Sequence, residues 1–362
     1  MTIPRRVRIV GPLPPPVHGA AEVTKLLASA LKARGVSVEI SSTAPREGAK
    51  GLRYHASRTR RIWDAIRTCG GEDGAIYLSA AGGLGLAYDI LIVAVARLKR
   101  RPLFIHHHSF AYLDRRSVLG ALLFRVAGRR AVHICLCERM ESLIRRRYGA
   151  SETCTLSNAA FRVPAVGTSA AAAGRPLRIG HLGNLSAEKG LDLVVAVGEK
   201  LAARGMEVVL AGPAVDARAA ALVADLQGRP GSRFEVLGPV YGDRKESFYR
   251  GIDVFLFPTL YANEAQPLVV FEALAHGVPV IAFGRGCIPE QVGGAGLVVE
   301  PGHDFVVPAT SAIERWAGNP AMLAALKADA VRRAEAQHAD GLRQLAALCA
   351  RLAATDASTA VC

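Results

Sequence analysis

The feature that most constrains the fold is an alternation that starts twice. Short β-branched runs are followed by Ala/Leu-rich stretches with helical spacing. Val7–Val10 reads as a strand, Ala20–Arg34 as a helix stopped by Gly35, and Val36–Ser41 as the next strand. The same grammar restarts at Arg178: Arg178–Leu182 is a strand, Gly190–Arg204 a helix stopped by Gly205, and Val208–Ala211 a strand ended by Gly212. Strands alternating with helices specify a parallel sheet covered on both faces. Between the two series, Pro164–Pro176 is made of small residues flanked by prolines and suits an exposed linker. The restart is one of organisation, not a sequence repeat, and 362 residues suffice for two α/β domains. The last stretch, Pro320–Ala354, carries charges at helical spacing and reads as one or two helices.

Charge separates the two halves. Residues 1–165 hold 27 Lys and Arg against 11 Asp and Glu, whereas residues 166–362 hold 18 against 20. A basic half implies an anionic partner such as phospholipid headgroups or a lipid diphosphate. No nucleic-acid-binding signature accompanies the charge, so no nucleic acid is expected. The seven cysteines are odd in number and lack CxxC spacing, which argues against a zinc site and against a disulfide framework. No stretch approaches the ~18–20 apolar residues of a spanning helix. Leu84–Ala96 is too short, contains Asp89, and reads as a buried helix.

The chemistry concentrates in the second half. From Asn263 the chain reads NEAQPLVVFEALAHGVPVI, so that Glu264 and Glu272 are separated by seven residues. Pro267 suits the start of a helix, where its missing N–H costs nothing, and Gly277 suits its end. Glu264 then precedes a helix over about 268–276, and Glu272 lies on it. The free N–H groups of the first turn, beside Gln266, Leu268 and Val269 with Pro267 opening the helix between them, mark an anion site suited to a diphosphate, and the carboxylates suit sugar and ribose hydroxyls. Three further segments follow apolar strands. These are the HLGNLSAEKG run from His181, with Asn184 and Lys189; the Pro-rich loop Gly11–Glu22, with His18, Gly19 and Ala20; and LFIHHHS from Leu103, where His106 and His108 share one strand face.

The Glu264–Glu272 segment resembles the E-x7-E signature of retaining GT-B glycosyltransferases, family 4 (glycosyl transferases group 1). The resemblance implies an α/β fold, GT-B, with two Rossmann-like domains facing across a cleft. It divides the chain into residues 1–165 as an acceptor-binding domain and residues 166–340 as a nucleotide-sugar-binding domain. Residues 341–362 become a C-terminal helix and tail packing back on the first domain. By resemblance, Glu264 contacts the donor sugar and Glu272 the ribose hydroxyls. The run from Gly183 is similar to the family's G-R-x-x-x-x-K-G loop, so Lys189 falls on the lysine that neutralises the donor diphosphate. Asn184 stands in place of the usual arginine, which removes one charge from that clamp. Gly19 and Ala20 fall on the family's N-terminal glycine loop. His108, with His106 next, falls on its strand-end histidine beside the donor sugar. Gly238 and Val240 are placed near the base. Leu156–Asn158 and Gly286–Glu290 resemble two further family turns, Cys287 replacing a glycine in the second.

The activity so implied is transfer of a sugar, with retention, from a nucleoside-diphosphate sugar to an acceptor hydroxyl in glycolipid, polysaccharide or other glycoconjugate synthesis. Neither cofactor nor metal is expected. The expected partners are the nucleotide-sugar donor, a glycan or lipid-linked acceptor and an anionic membrane surface. The expected location is the cytoplasm, peripheral on the inner face of the membrane. Two other readings share the fold: a sugar-nucleotide epimerase, which needs no acceptor, and a non-catalytic nucleotide-sugar-binding subunit.

Overall fold

The computed structural model describes residues 6–14, 19–44, 51–69, 74–161 and 175–354. His18 and nearly all of the 164–176 linker lie outside the described residues. The chain forms two compact units, one of residues 1–161 with 340–362 and one of residues 162–339.

The first unit is built on six parallel strands: β1 (Arg6–Gly11), β2 (Ser37–Ser42), β3 (Ala75–Ala80), β4 (Leu103–His107), β5 (Val132–Cys135) and β6 (Glu152–Thr155). Their order is β2-β1-β3-β4-β5-β6. This is the flavodoxin-type order with one strand added, and it reverses between β1 and β3. β3 is buried along its whole length, as a strand covered on both faces must be. On one face Val7, Ile9, Tyr77 and Phe104 pack against Leu27 and Leu31 of the helix Gly19–Lys32. The same cluster takes in Leu345, Leu348 and Leu352 from the last turns of the single helix Pro320–Ala354.

One reading needs correction here. The apolar segment after residue 84 forms the helix Leu86–Leu98, which is only half buried. Leu84, Leu91 and Leu98 recur every seven residues along one exposed stripe, while Asp89 is buried and its carboxylate accepts the Ala81 N–H at 2.7 Å. The polar residue points in because it caps a loop. Leucines point out where nothing in the unit covers them.

The second unit repeats the architecture with β7 (Arg178–Leu182), β8 (Glu207–Ala211), β9 (Phe234–Gly238), β10 (Val254–Phe257), β11 (Val280–Phe283) and β12 (Gly296–Val299). The order β12-β11-β10-β7-β8-β9 is that of the Rossmann sheet, all pairs are parallel, and the reversal falls between β7 and β10. The two-residue period of β8 divides the core. Val208 and Leu210 join one cluster with Val194, Leu201, Ile313 and Trp316, while Val209 and Ala211 join the other with Phe248, Phe255, Val270 and Leu274. At the amino end of β10, buried Asp253 meets Lys327 at 2.8 Å, Arg175 at 2.7 Å and the Arg178 N–H at 3.0 Å. Burial alone would raise the Asp253 carboxyl. Lys327, the Arg178 amide and Arg175 together outweigh it and hold the group below its ordinary range.

Candidate active site

Open parallel sheets present their ligand crevice at the carboxyl ends of the strands, where the order reverses. In the second unit this point lies between the loops that follow β7 and β10. Ser186 opens the first loop and accepts the Lys189 N–H at 3.2 Å, closing the short turn Ala187–Lys189. Gly190 follows with φ +80°, and a Cβ there would lie 2.2 Å from the Pro258 carbonyl oxygen. Glycine is required for this turn to sit against the end of β10. The Leu260 N–H then donates to the Glu188 carbonyl at 2.8 Å, fastening the loops together.

This fastening brings two predicted residues into contact. Lys189 Nζ lies 2.6 Å from Glu264 Oε2, and the same oxygen accepts from Thr259 Oγ1 at 3.1 Å. The ammonium also lies over the Tyr261 ring, 4.7 Å from its centroid. The loop bearing Glu264 is held from behind: Cys287 donates its N–H to the Ala265 carbonyl at 2.7 Å, and Gln291 Nε2 donates to the Pro267 carbonyl at 3.1 Å. Gly286, at φ +56°, would place a Cβ 2.3 Å from the Ala265 carbonyl oxygen, so this turn too depends on a missing side chain.

The helix is Leu268–Ala275, and Pro267 is its N-cap rather than its first residue, with extended ψ of 129° and no side-chain cap. Glu272 lies on this helix and meets Lys245 Nζ at 2.6 Å and the Tyr249 hydroxyl at 3.0 Å. Lys245 and Tyr249 are one turn apart on the helix Asp243–Arg250. Each glutamate of the pair is thus matched to a lysine from a different element. Gln266 and Pro267 are buried, and Leu268 and Val269 are half-buried. Gly238 ends β9 with φ +65°, Val240 joins the core with Phe248 and Tyr249, and Asn184 lies exposed in the loop after β7.

Sequence reasoning missed Lys245, Tyr249, Thr259 and Tyr261. The i, i+4 spacing of Lys245 and Tyr249 was a visible signal. The approach of their helix to Glu272 was not, because it depends on the crossover between β9 and β10.

In the first unit, Gly19 and Ala20 open the helix after β1, and the Ala20 carbonyl accepts Thr24 Oγ1 at 2.7 Å. His106 and His107 are fully buried on β4, whereas His108 lies just past the strand end and is half-buried. The His106 and His108 rings stand 4.1 Å apart, as residues on one strand face should. His106 Nδ1 is 2.6 Å from the Tyr77 hydroxyl; His107 is held between the Tyr112 hydroxyl at 2.6 Å and His133 Nδ1 at 2.9 Å. Burial, reinforced by neighbouring histidines, holds His106 and His107 well below the ordinary histidine range. Two of the three histidines are therefore neutral members of the core. Among the described residues no group of three or more His, Cys, Asp or Glu is arranged to hold a metal ion.

Residues 176–317, which include both reversal-point loops and both glutamates, match the family model described as glycosyl transferases group 1. Over these residues the chain is similar to the group 1 glycosyltransferases. The Arabidopsis thaliana sulfoquinovosyl transferase SQD2 is 32% identical over 134 residues, 35% of this chain and 24% of that protein. A D-inositol 3-phosphate glycosyltransferase of Rhodococcus jostii (strain RHA1) is 33% identical over 170 residues, 42% of this chain and 35% of that protein. The chain therefore spans about a quarter to a third of the length of the curated relatives it matches. Among solved structures, the sucrose-phosphate synthase of Thermosynechococcus elongatus superposes with a TM-score of 0.71 at 17% identity, covering 96% of this chain and 99% of that one. Anabaena Alr3699/HepE in complex with UDP gives 0.69 at 16% identity, covering 96% and 100%. The fold of this chain is the GT-B fold of these solved structures.

Proposed function

We propose that this chain is a retaining glycosyltransferase that moves a sugar from a nucleoside-diphosphate sugar to an acceptor hydroxyl in glycolipid, polysaccharide or other glycoconjugate synthesis. The observation that carries this reading is the pairing of Lys189 with Glu264 at the sheet reversal, beside the amino end of the helix that bears Glu272. In this reading the second unit holds the donor. The diphosphate sits against the first turn of Leu268–Ala275, over Gln266–Val269, and takes Lys189 from Glu264. Glu264, released, accepts from the sugar hydroxyls, and Glu272 accepts from the ribose. Gly238 and Val240 border the base, and Asn184 contributes an uncharged donor to the phosphates.

The chemistry needs the leaving diphosphate to be stabilised while positive charge builds on the sugar. Backbone N–H groups at a helix end together with one lysine meet that need. The leaving phosphate itself accepts the proton of the acceptor hydroxyl. By resemblance, Gly19 and Ala20 are assigned to the phosphates and His108, with His106 next, to the reacting sugar.

The first unit, with its surplus of Lys and Arg, is assigned the acceptor, a glycan or a lipid-linked one, at the anionic inner face of a membrane. No helix of the described residues is long and apolar enough to cross a membrane, so attachment in this reading is peripheral. No metal or cofactor takes part.

UDP and UDP-glucose occupy the solved Anabaena structures, which makes UDP-sugars the first donors to test. A thermal-shift screen across nucleotide sugars should single out the donor, because binding raises the melting temperature with occupancy. Absence of a shift with every nucleotide sugar would overturn the assignment. Donor turnover without acceptor, giving an epimerised sugar, would replace it with the epimerase reading.

A further inference from the structure

The first unit contains a cationic pocket that the donor chemistry does not use. It has a volume of about 400 Å³ and is bordered by Arg116, Arg125, Arg129 and Arg147, with no carboxylate in its lining. Its wall is an aromatic stack: Phe124 lies between Tyr148 and His133, each 4.4 Å away centroid to centroid.

Three observations point to an occupant. First, none of the four guanidinium groups has a carboxylate partner among the described residues. Arg175, Arg178, Arg204, Arg218 and Arg229 of the second unit, by contrast, each meet a carboxylate. Four unpaired like charges around one hollow repel each other, and a multivalent anion relieves that repulsion while accepting the forked donors of guanidinium. Second, the pocket borders the turns that enter β5 and β6. Gly128 and Arg129 precede β5, and Gly149 and Ala150 precede β6. These are the amino-terminal ends of the strands, opposite the edge at which such sheets bind substrates. Third, the helix Val118–Ala127 that supplies Phe124 and Arg125 leaves Val118 and Leu122 exposed, one turn apart. The helix packed beside it, Leu86–Leu98, leaves Leu91 and Leu98 exposed.

We propose that this pocket binds the phosphate of a phosphate ester, at a site separate from the donor residues. The shared chemistry is a phosphate dianion or diester held by two or more guanidinium groups. The ester is either a phospholipid headgroup, in which case the exposed leucines meet the acyl boundary, or a soluble phosphorylated molecule. The pocket's volume admits a phosphate with an attached headgroup. The inference rests on this pocket alone and stands or falls independently of the glycosyl-transfer reading.

The test uses the full chain in a Lys189→Ala background, so that the donor-side lysine does not contribute. Inorganic pyrophosphate is titrated by calorimetry, and vesicles of 30% phosphatidylglycerol in phosphatidylcholine are titrated by sedimentation. Arg125→Ala/Arg129→Ala should weaken binding of at least one probe about tenfold or more, as loss of charge-assisted hydrogen bonds does. Lys25→Ala/Lys32→Ala removes the same charge from exposed positions of the same unit and should change it less than about twofold. Binding of vesicles alone identifies a lipid headgroup; binding of pyrophosphate identifies a soluble ester. Both arginines are exposed, so the fold should persist; Arg116→Ala/Arg147→Ala, scored by the same titrations, checks this with the other half of the pocket. Equal loss in the lysine pair, no loss in either arginine pair, or binding of neither probe would overturn the proposal.

Discussion

Lys189 Nζ and Glu264 Oε2 lie 2.6 Å apart although 75 residues separate them in the chain. Both are mostly shielded from water, with side-chain exposures of 22% and 11%. The pair exists because β7 and β10 are neighbours at the sheet reversal, so that the loops leaving them must meet. If this pair is where a diphosphate enters, Lys189 has two roles: it neutralises Glu264 in the empty site and the leaving group in the loaded one. Lys189→Ala and Glu272→Ala are each expected to lower the rate of sugar transfer by roughly 10²-fold or more, the size of effect typical for a key electrostatic contact. Full activity of both variants in a steady-state assay would refute the site.

Lys245 and Tyr249 touch only Glu272 among the two glutamates, and they sit on a helix flanking the proposed ribose contact rather than at the phosphates. Their loss should therefore act on donor binding. Lys245→Ala and Tyr249→Phe are expected to raise the donor KM about tenfold with kcat within about threefold of the parent, the pattern of a lost interaction made equally in ground and transition states. A fall in kcat at unchanged KM would place Glu272 at the reacting centre instead.

Much of this was legible before any coordinates. The strand–helix grammar gave both sheets because residues such as Val208–Ala211 are buried on both faces and must be apolar throughout. Glu264 and Glu272 could be read from one segment because a single loop and helix carry them both. The contact of Lys245 with Glu272 was not legible for the opposite reason: its partner lies on another crossover, and no local pattern encodes which helices become neighbours. The Leu84–Leu98 stripe misled for a related reason. Hydropathy reports how apolar a segment is, and does not say whether the rest of the fold covers it.

Gly190 offers a stability test of the loop geometry. Alanine there combines a left-handed backbone conformation with a Cβ at 2.2 Å from the Pro258 carbonyl. Strain of this kind costs about 1–3 kcal/mol before the clash is counted. Gly190→Ala should lower the urea midpoint of the second unit and also impair transfer, because Lys189 is the preceding residue. Parent-like stability and activity together would show that the turn is not required.

The buried ion cluster at Asp253 makes a different prediction. Lys327→Ala leaves a carboxylate with Arg175 and the Arg178 amide but without its buried ammonium. Removing one partner of a buried pair typically costs about 3–5 kcal/mol. Replacing both residues, as Asp253→Leu/Lys327→Met, should recover part of that loss. Chemical denaturation of the three variants decides it, and a double variant no better than the single one would contradict the electrostatic account.

Acid should destabilise the first unit more steeply than the second. Burial depresses His106 and His107 well below the ordinary value and takes His133 to about 3; in the second unit, His181 is taken to about 4, burial and Lys189 together outweighing the hydrogen bond it donates to the Leu256 carbonyl. These groups are neutral in the folded chain and protonate near pH 6.5 once unfolded. The unfolded state therefore binds more protons below about pH 6.5, and stability, complete above that value, falls as pH drops towards the folded values. Each histidine contributes at most about 1.4 kcal/mol per pH unit within its window. Three of the four lie in the first unit, where His107 and His133 share a hydrogen bond and cannot both be charged without breaking it. Urea titrations between pH 7.5 and 5.5, followed by near-ultraviolet circular dichroism, should show midpoints that fall with pH. The fall should be reduced by His133→Asn, which removes one titrating ring. Midpoints independent of pH across that range would mean that the histidines are accessible to protons in the folded state, and the buried network would have to be redrawn.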